Sequence, residues 1–279
     1  MVYTTWPSGG CDPRELDGVV VASPSATHAA VALPYIEYGL PTFIEKPMAT
    51  SVAEAEALRD AAERSGAPIF VGHLQLYNPA FRKALETLPA LGAVRYLLFE
   101  SMDSNPRADS SVLWDWLPHH LSMARAIFGL DATSIQAWSL AGGNSPQAAM
   151  SRFLFGATPV ASVTSWLSPV RRRLMTAVCE RGTLVFDDRA ERKLVVYEAL
   201  GGILHPAYVT EFPLTIELRT FCDAIFNGKS DRDHVGDGDA IVRIISSAEQ
   251  SIQYDGATIH PRHGVILSMR MSGQAPFFT

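Results

Sequence analysis

Three segments decide the fold of the first part of this chain: Val19-Val20-Val21, Thr42-Phe43-Ile44-Glu45-Lys46-Pro47 and Ile69-Phe70-Val71-Gly72-His73. Each opens with a short, unbroken run of β-branched or aromatic residues, the pattern of a strand buried on both faces. Helical signals fill the gaps. Residues from about Thr27 to Tyr38 read as a helix that stops at Gly39, with Pro34 expected to kink or shorten it. Ser51 and Glu54 form a capping box for a helix over Val52–Ser65, and Gly66 marks its end. Asn78 and Pro79 read as the N-cap and first position of a helix over 79–88. Strands alternating with helices predict a parallel sheet with crossover helices. Such sheets bind ligands beyond the carboxyl ends of their strands. That rule puts Ser23-Pro24, Glu45-Lys46-Pro47 and His73–Gln75 on the ligand edge.

After Gly92 the pattern changes. Segments near 94–100, 133–140, 148–155, 158–166, 174–179, 183–186 and 193–198 read as strands, many joined by short turns, which predicts a large, mostly antiparallel sheet. Helices over about 214–227 and 237–251 close the chain. The expected class is α/β plus α+β: an incomplete Rossmann-like domain over residues 1–90, then a substrate-binding and oligomerisation domain over 91–279.

The chain has 279 residues, 47% of them hydrophobic and 19% charged, which is enough apolar material for a globular core. A net charge of −6 gives no footprint for nucleic acid. No apolar run is long enough to span a bilayer, and the N-terminus lacks the basic and apolar regions of a signal peptide. Cys11, Cys179 and Cys222 are scattered and odd in number, as expected of buried thiols in a reducing compartment. The expectation is a cytoplasmic protein that binds neither nucleic acid nor membrane.

Lys46 has two readings. It is a surface lysine at a strand end, or a shuttle that hydrogen-bonds a reacting oxygen and stabilises alkoxide charge. Asp115 and His119 are four apart, so a helix or its lead-in turn puts them on one face. The pair is either a cap followed by a packed histidine, or a proton relay in which Asp115 orients His119. Arg171-Arg172-Arg173 is either a solvated run or a site for a substrate phosphate. In the last part of the chain, Leu214, Leu218, Phe221, Cys222 and Ile225 read as helical core packing. His260-Pro261-Arg262-His263 reads as a loop, and no metal site is expected.

The ordered set Asp17–His28, Glu45-Lys46-Pro47, Val71-Gly72-His73 and Asp115-x-x-x-His119 resembles the glucose–fructose oxidoreductase / inositol dehydrogenase / rhizopine-catabolism (Gfo/Idh/MocA) family. The resemblance implies an NAD- or NADP-dependent oxidoreductase acting on a secondary alcohol or ketone of a sugar, cyclitol or nucleotide sugar. It implies Lys46 and His119 at the reacting oxygen with Asp115 beside them. It runs the cofactor along Ser23, Pro24 and His28, brings Glu45 to the nicotinamide ribose, and adds His73 and Gln75 at the same edge. Tyr77 would join Lys46, Asp115 and His119 around the substrate. A homodimer or homotetramer formed through the large sheet is also implied. The chain departs from the family pattern at Leu76, Leu117, His120 and Ser122.

One further departure concerns the glycine turn that cradles pyrophosphate at a helix N-terminus. No G-x-G-x-x-G occurs, and Gly9-Gly10 runs into Cys11-Asp12-Pro13. Val19–Val21 resembles the family's fourth strand. The 279 residues by themselves are therefore expected to bind NAD(H) and NADP(H) weakly or not at all and to self-associate. The alternative is a truncated, non-catalytic sugar-binding or scaffold protein.

Overall fold

The computed structural model describes residues 12–107, 110–227 and 234–261, together with the backbone of 265–266. Cys11 and the histidine at 263 lie outside the described residues. Strands β1 (Val19–Val21), β2 (Thr42–Glu45) and β3 (Ile69–Gly72) form a parallel sheet in that order. The register pairs Val21 with Ile44, Ile44 with Val71 and Glu45 with Gly72. Helix α1 (His28–Glu37) connects β1 to β2, and α2 (Val52–Ser65) connects β2 to β3. Helix α1 continues through Pro34. Proline has no N–H for the carbonyl of Ala30, but Ala30 is exposed and water can satisfy that oxygen. In α2, Ser51 Oγ accepts the Glu54 N–H at 3.2 Å, while the Glu54 carboxylate reaches back to Thr50. Helix α3 (Pro79–Thr87) is capped by Asn78 as expected.

Strand β1 corrects one expectation. Val20 is 53% exposed because β1 lies at the edge of this sheet.

The second sheet has ten strands. Its members are β4 (Val94–Met102), β5 (Ala132–Ala141), β6 (Ala148–Phe155), β7 (Thr158–Ser165), β8 (Arg172–Cys179), β9 (Gly182–Asp187), β10 (Leu194–Glu198), β11 (Ile203–Leu204), β12 (Ile259–His260) and β13 (Val265–Ile266). Their order is β11-β10-β9-β8-β4-β7-β6-β5-β12-β13. Among the described residues every pairing is antiparallel except that of β4 with β7.

Helix α4 (Val112–Phe128) lies between β4 and β5 in sequence. Its Leu113, Leu117 and Leu121 share one core with Leu97, Phe99, Phe153 and Val160 of the large sheet. Helices α5 (Pro213–Asn227) and α6 (His234–Gln253) return to the parallel sheet. Phe221 of α5 meets Phe43 and Phe70 with ring centroids 5.7 and 5.1 Å away. Each such aromatic pair adds about 1 kcal/mol beyond its buried area. The α5 stripe is narrower than expected: Phe221 is buried, but Leu214 is 48% exposed and the Cys222 thiol faces solvent. On the opposite face of the sheet, Gly238 of α6 packs so closely that an added Cβ would lie 2.7 Å from Met48 Sδ.

Candidate active site

The carboxyl ends of β2 and β3 face α4 across a cleft of about 360 Å³, lined by Glu45, Lys46, Gly72, Gln75, Trp116 and His119 among others. The Lys46–Pro47 peptide is cis, and the lysine side chain turns toward α4. Lys46 Nζ donates to the backbone oxygen of Asp115 at 2.8 Å and to Asp115 Oδ1 at 3.1 Å. Pro118 lacks the N–H that would reach the Trp114 carbonyl, and it is the next carbonyl in that turn that accepts from Lys46. An ammonium has three hydrogens, so Lys46 keeps one for a group in the cleft. Burial pulls its pKa below the ordinary lysine value, against the opposing pull of Asp115.

Asp115 is 8% exposed and satisfied on both oxygens. Oδ2 accepts the Trp166 indole N–H at 3.0 Å, and Oδ1 also pairs with Arg107 at 3.2 Å. The expected Asp115–His119 relay is thereby corrected. The carboxylate is turned to Lys46, Trp166 and Arg107, because α4 presents it to the β2 end and to the strand-end residue Trp166. His119 is half-buried, and its Nδ1 has no hydrogen-bond partner among the described residues. Its pKa is held well below 6.5, first by burial and then by the positive charge of Lys46 and neighbouring cationic groups. A neutral imidazole in the cleft is ready to take a proton. The neighbouring His120 belongs to the core. Its nitrogens meet Ser101 Oγ at 2.7 Å and Ser162 Oγ at 2.8 Å, its ring stacks on Phe99, and burial lowers its pKa to about 3.

Glu45 Oε2 accepts the Lys46 N–H at 3.2 Å. A Cβ on Gly72 would lie 3.1 Å from Glu45 Oε2 and from Phe43 Cζ, so the glycine keeps this edge open. Ser23 and Pro24 follow β1, and Ser23 Oγ accepts from Thr27 Oγ1 at 2.8 Å. Three other expected contacts move away from the cleft. His28 is 1% exposed and spends both ring nitrogens on backbone oxygens, Pro47 at 2.8 Å and Ser23 at 2.9 Å, so it ties two loops together. His73 is buried beneath the cleft wall. Tyr77 is buried under the Arg82 guanidinium, 5.3 Å from its ring centroid, and packs in the core. Gln75 does line the cleft, where Asn78 donates to its oxygen at 3.1 Å and its amide lies 3.3 Å from Asp188.

Sequence reasoning missed Trp166, Arg107, Asp188 and Glu217. None carries a local motif; each is identified by a partner distant in the chain. Glu217 is 2% exposed, and among the described residues neither carboxyl oxygen has a hydrogen-bond partner. Burial, then the charge of Glu45, pushes it up to about 8.

A three-stranded parallel sheet whose strand ends carry a lysine and a glutamate meets a large mixed sheet whose helix brings a histidine to the same cleft, which is a Rossmann-like sheet joined to a large, mostly antiparallel one. A family model described as "Oxidoreductase family, NAD-binding Rossmann fold" matches residues 10–73. Over those residues the chain is similar to the Gfo/Idh/MocA oxidoreductases. Myo-inositol dehydrogenase Hyg17 of Streptomyces leeuwenhoekii is 30% identical over 132 residues, which is 44% of this chain and 41% of that protein. UDP-N-acetylglucosamine 3-dehydrogenase of Acidithiobacillus ferrooxidans is 30% identical over 129 residues, 46% of this chain and 41% of that protein. The chain thus spans about two fifths of the length of these curated relatives. A solved structure from Magnetospirillum magnetotacticum MS-1 superposes with a TM-score of 0.77 at 28% identity, covering 84% of this chain and 80% of that one. An inositol dehydrogenase homolog from Azotobacter vinelandii, complexed with NADH and myo-inositol, shares the fold. Its TM-score is 0.79 at 18% identity, covering 89% of this chain and 79% of that one.

Proposed function

We propose that this chain carries the catalytic cleft of a nicotinamide-dependent oxidoreductase. Its substrate is a sugar, cyclitol or nucleotide sugar with a secondary alcohol, or the corresponding ketone. The observation that carries the reading is the convergence of Lys46 and His119, distant in sequence, on one cleft at the carboxyl edge of the parallel sheet. NAD or NADP, when bound, would accept or supply the hydride. The edge fits the nicotinamide-ribose end of such a group. Gly72 leaves room there, and Glu45, tied on one oxygen to a backbone N–H, offers acceptors to ribose hydroxyls. The backbone of Ser23 and Pro24 continues that edge. In this reading residues 1–90 supply the cofactor edge and 91–279 the substrate wall.

His119 is the base. Neutral at working pH, it takes the proton of a substrate hydroxyl held in the cleft that it lines. The free N–H of Lys46 bonds the same oxygen and stabilises its developing negative charge. Asp115 is a positioning residue that fixes the ammonium. Homodimer or homotetramer formation through the open face of the large sheet belongs to the same proposal. Tyr96, Val178, Thr183 and Tyr197 are consecutive cross-strand partners there, and both tyrosines are about half exposed. Sedimentation of a Tyr96→Asp, Tyr197→Asp variant as monomer would support that contact.

The test of the main reading follows nicotinamide absorbance with NAD or NADP and a panel of cyclitols, sugars and nucleotide sugars. With the dinucleotide in large excess, to offset the weak binding expected without a glycine turn, reduction that depends on one of these substrates is the expected result. Substrate binding without reduction for either dinucleotide would favour a sugar-binding scaffold instead.

A further inference from the structure

The run Arg171-Arg172-Arg173 is split by the pleat of the large sheet. Arg172 pairs with Met102 in register and ion-pairs with Glu100 at 2.8 Å, which places it on the open face. Arg173 pairs with buried Ser101 and points to the other face, toward α4. Its guanidinium lies 5.2 Å from the Trp116 ring centroid and lowers the pKa of His119. Arg171, just before the strand, lines the same space as Arg173. The adjacent strand end brings a third arginine. Asp188 donates its N–H to the Arg173 carbonyl at 3.0 Å, and Arg189 follows it.

Arg171, Arg173 and Arg189 line a polar cavity of about 370 Å³ with Met102, Asp103, Ser104 and Asn105. Three of these residues, Asp103, Asn105 and Arg173, also line the catalytic cleft, so the two spaces are continuous. Three arginines line this cavity beside one carboxylate, that of Asp103, which accepts the Asn105 N–H at 3.1 Å. None of the three arginines is ion-paired among the described residues.

We propose that this cavity is an anion subsite that holds the phosphate or diphosphate of a glycosyl ligand while its sugar ring occupies the cleft. Guanidinium forks match phosphate oxygens in pairs, and three of them exceed what one carboxylate of a sugar acid needs. This selects phosphorylated sugars and nucleotide sugars over neutral cyclitols, and it rests on the oxidoreductase reading for what happens to the sugar.

The test is calorimetry on the 279-residue chain at low salt with glucosyl phosphate, uridine diphosphate, glucose and glucuronate as probes. Both phosphorylated probes should bind more tightly than glucose and weaken as salt rises. Changing Arg171→Gln and Arg189→Gln together should weaken them by roughly tenfold or more, the loss of at least one charge-assisted bond. Arg172→Gln, on the far face, should bind like the parent. A double variant that binds phosphate unchanged, glucose binding as tightly as glucosyl phosphate, or glucuronate matching it would each overturn the assignment. Phosphate-dependent binding with no reduction of nicotinamide, at dinucleotide concentrations shown by calorimetry to saturate the chain, would leave the subsite standing and overturn the oxidoreductase reading.

Discussion

Changing Glu217→Gln should make the protein more resistant to alkali. Glu217 is one helical turn before Phe221, whose ring packs on Phe43 and Phe70. Glu45 follows Phe43 by two residues, on the same side of β2, so the Glu217 carboxyl is held near a second acid. It is 2% exposed with neither oxygen bonded, and its pKa is pushed from 4.5 up to about 8. The native state therefore keeps a proton that the unfolded chain releases above 4.5. The stabilisation is full below 4.5 and is lost as pH rises through about 8. At ~1.4 kcal/mol per unit, raising the pH from about 5 to about 9 costs the native state roughly 4 kcal/mol through this one group. Glutamine keeps the shape and cannot ionise. Urea unfolding followed by circular dichroism across that pH range should give the variant a decline shallower by roughly that amount. Glu45→Gln should shrink the effect by removing the nearby charge. Parallel pH profiles for parent and Glu217→Gln would refute the reasoning.

Lys46→Met and His119→Gln should each reduce nicotinamide turnover by roughly a hundredfold to ten-thousandfold while sugar binding persists; undiminished turnover in either would remove that group from the mechanism. If His119 is the base, as proposed, the acid limb of kcat/KM should lie well below pH 6.5, where burial lets its imidazole gain a proton. The alkaline limb should fall below 10.5 as Lys46 loses its proton, and a profile bounded at both ordinary values would contradict the burial argument. Gly238→Ala should destabilise the protein by about 1 kcal/mol in urea, because crowding on Met48 and Val71 outweighs the gain in helix propensity. A more stable variant would show that Met48 yields freely.

The sequence by itself determined the alternation of strands and helices up to Gly92 and the succession of strands after it. Apolar periodicity, caps and glycine stops act over a single turn or strand, so they are legible locally. Lys46 and His119 were legible as candidates from their motifs and from where a strand end must face. The partner of Asp115 was not, since i,i+4 spacing on a helix says nothing about a lysine 69 positions away. The same holds for His28 and Tyr77, which local reading puts at a ligand edge and packing places in the interior. The tertiary structure alone decided which of three consecutive arginines faces the cleft, because the neighbouring strands set the pleat. It also decided that α5 and α6 return to the first sheet, bringing a bare carboxyl beside Glu45. Contacts between distant segments follow from how the apolar faces pair in three dimensions, and no window of sequence contains that pairing.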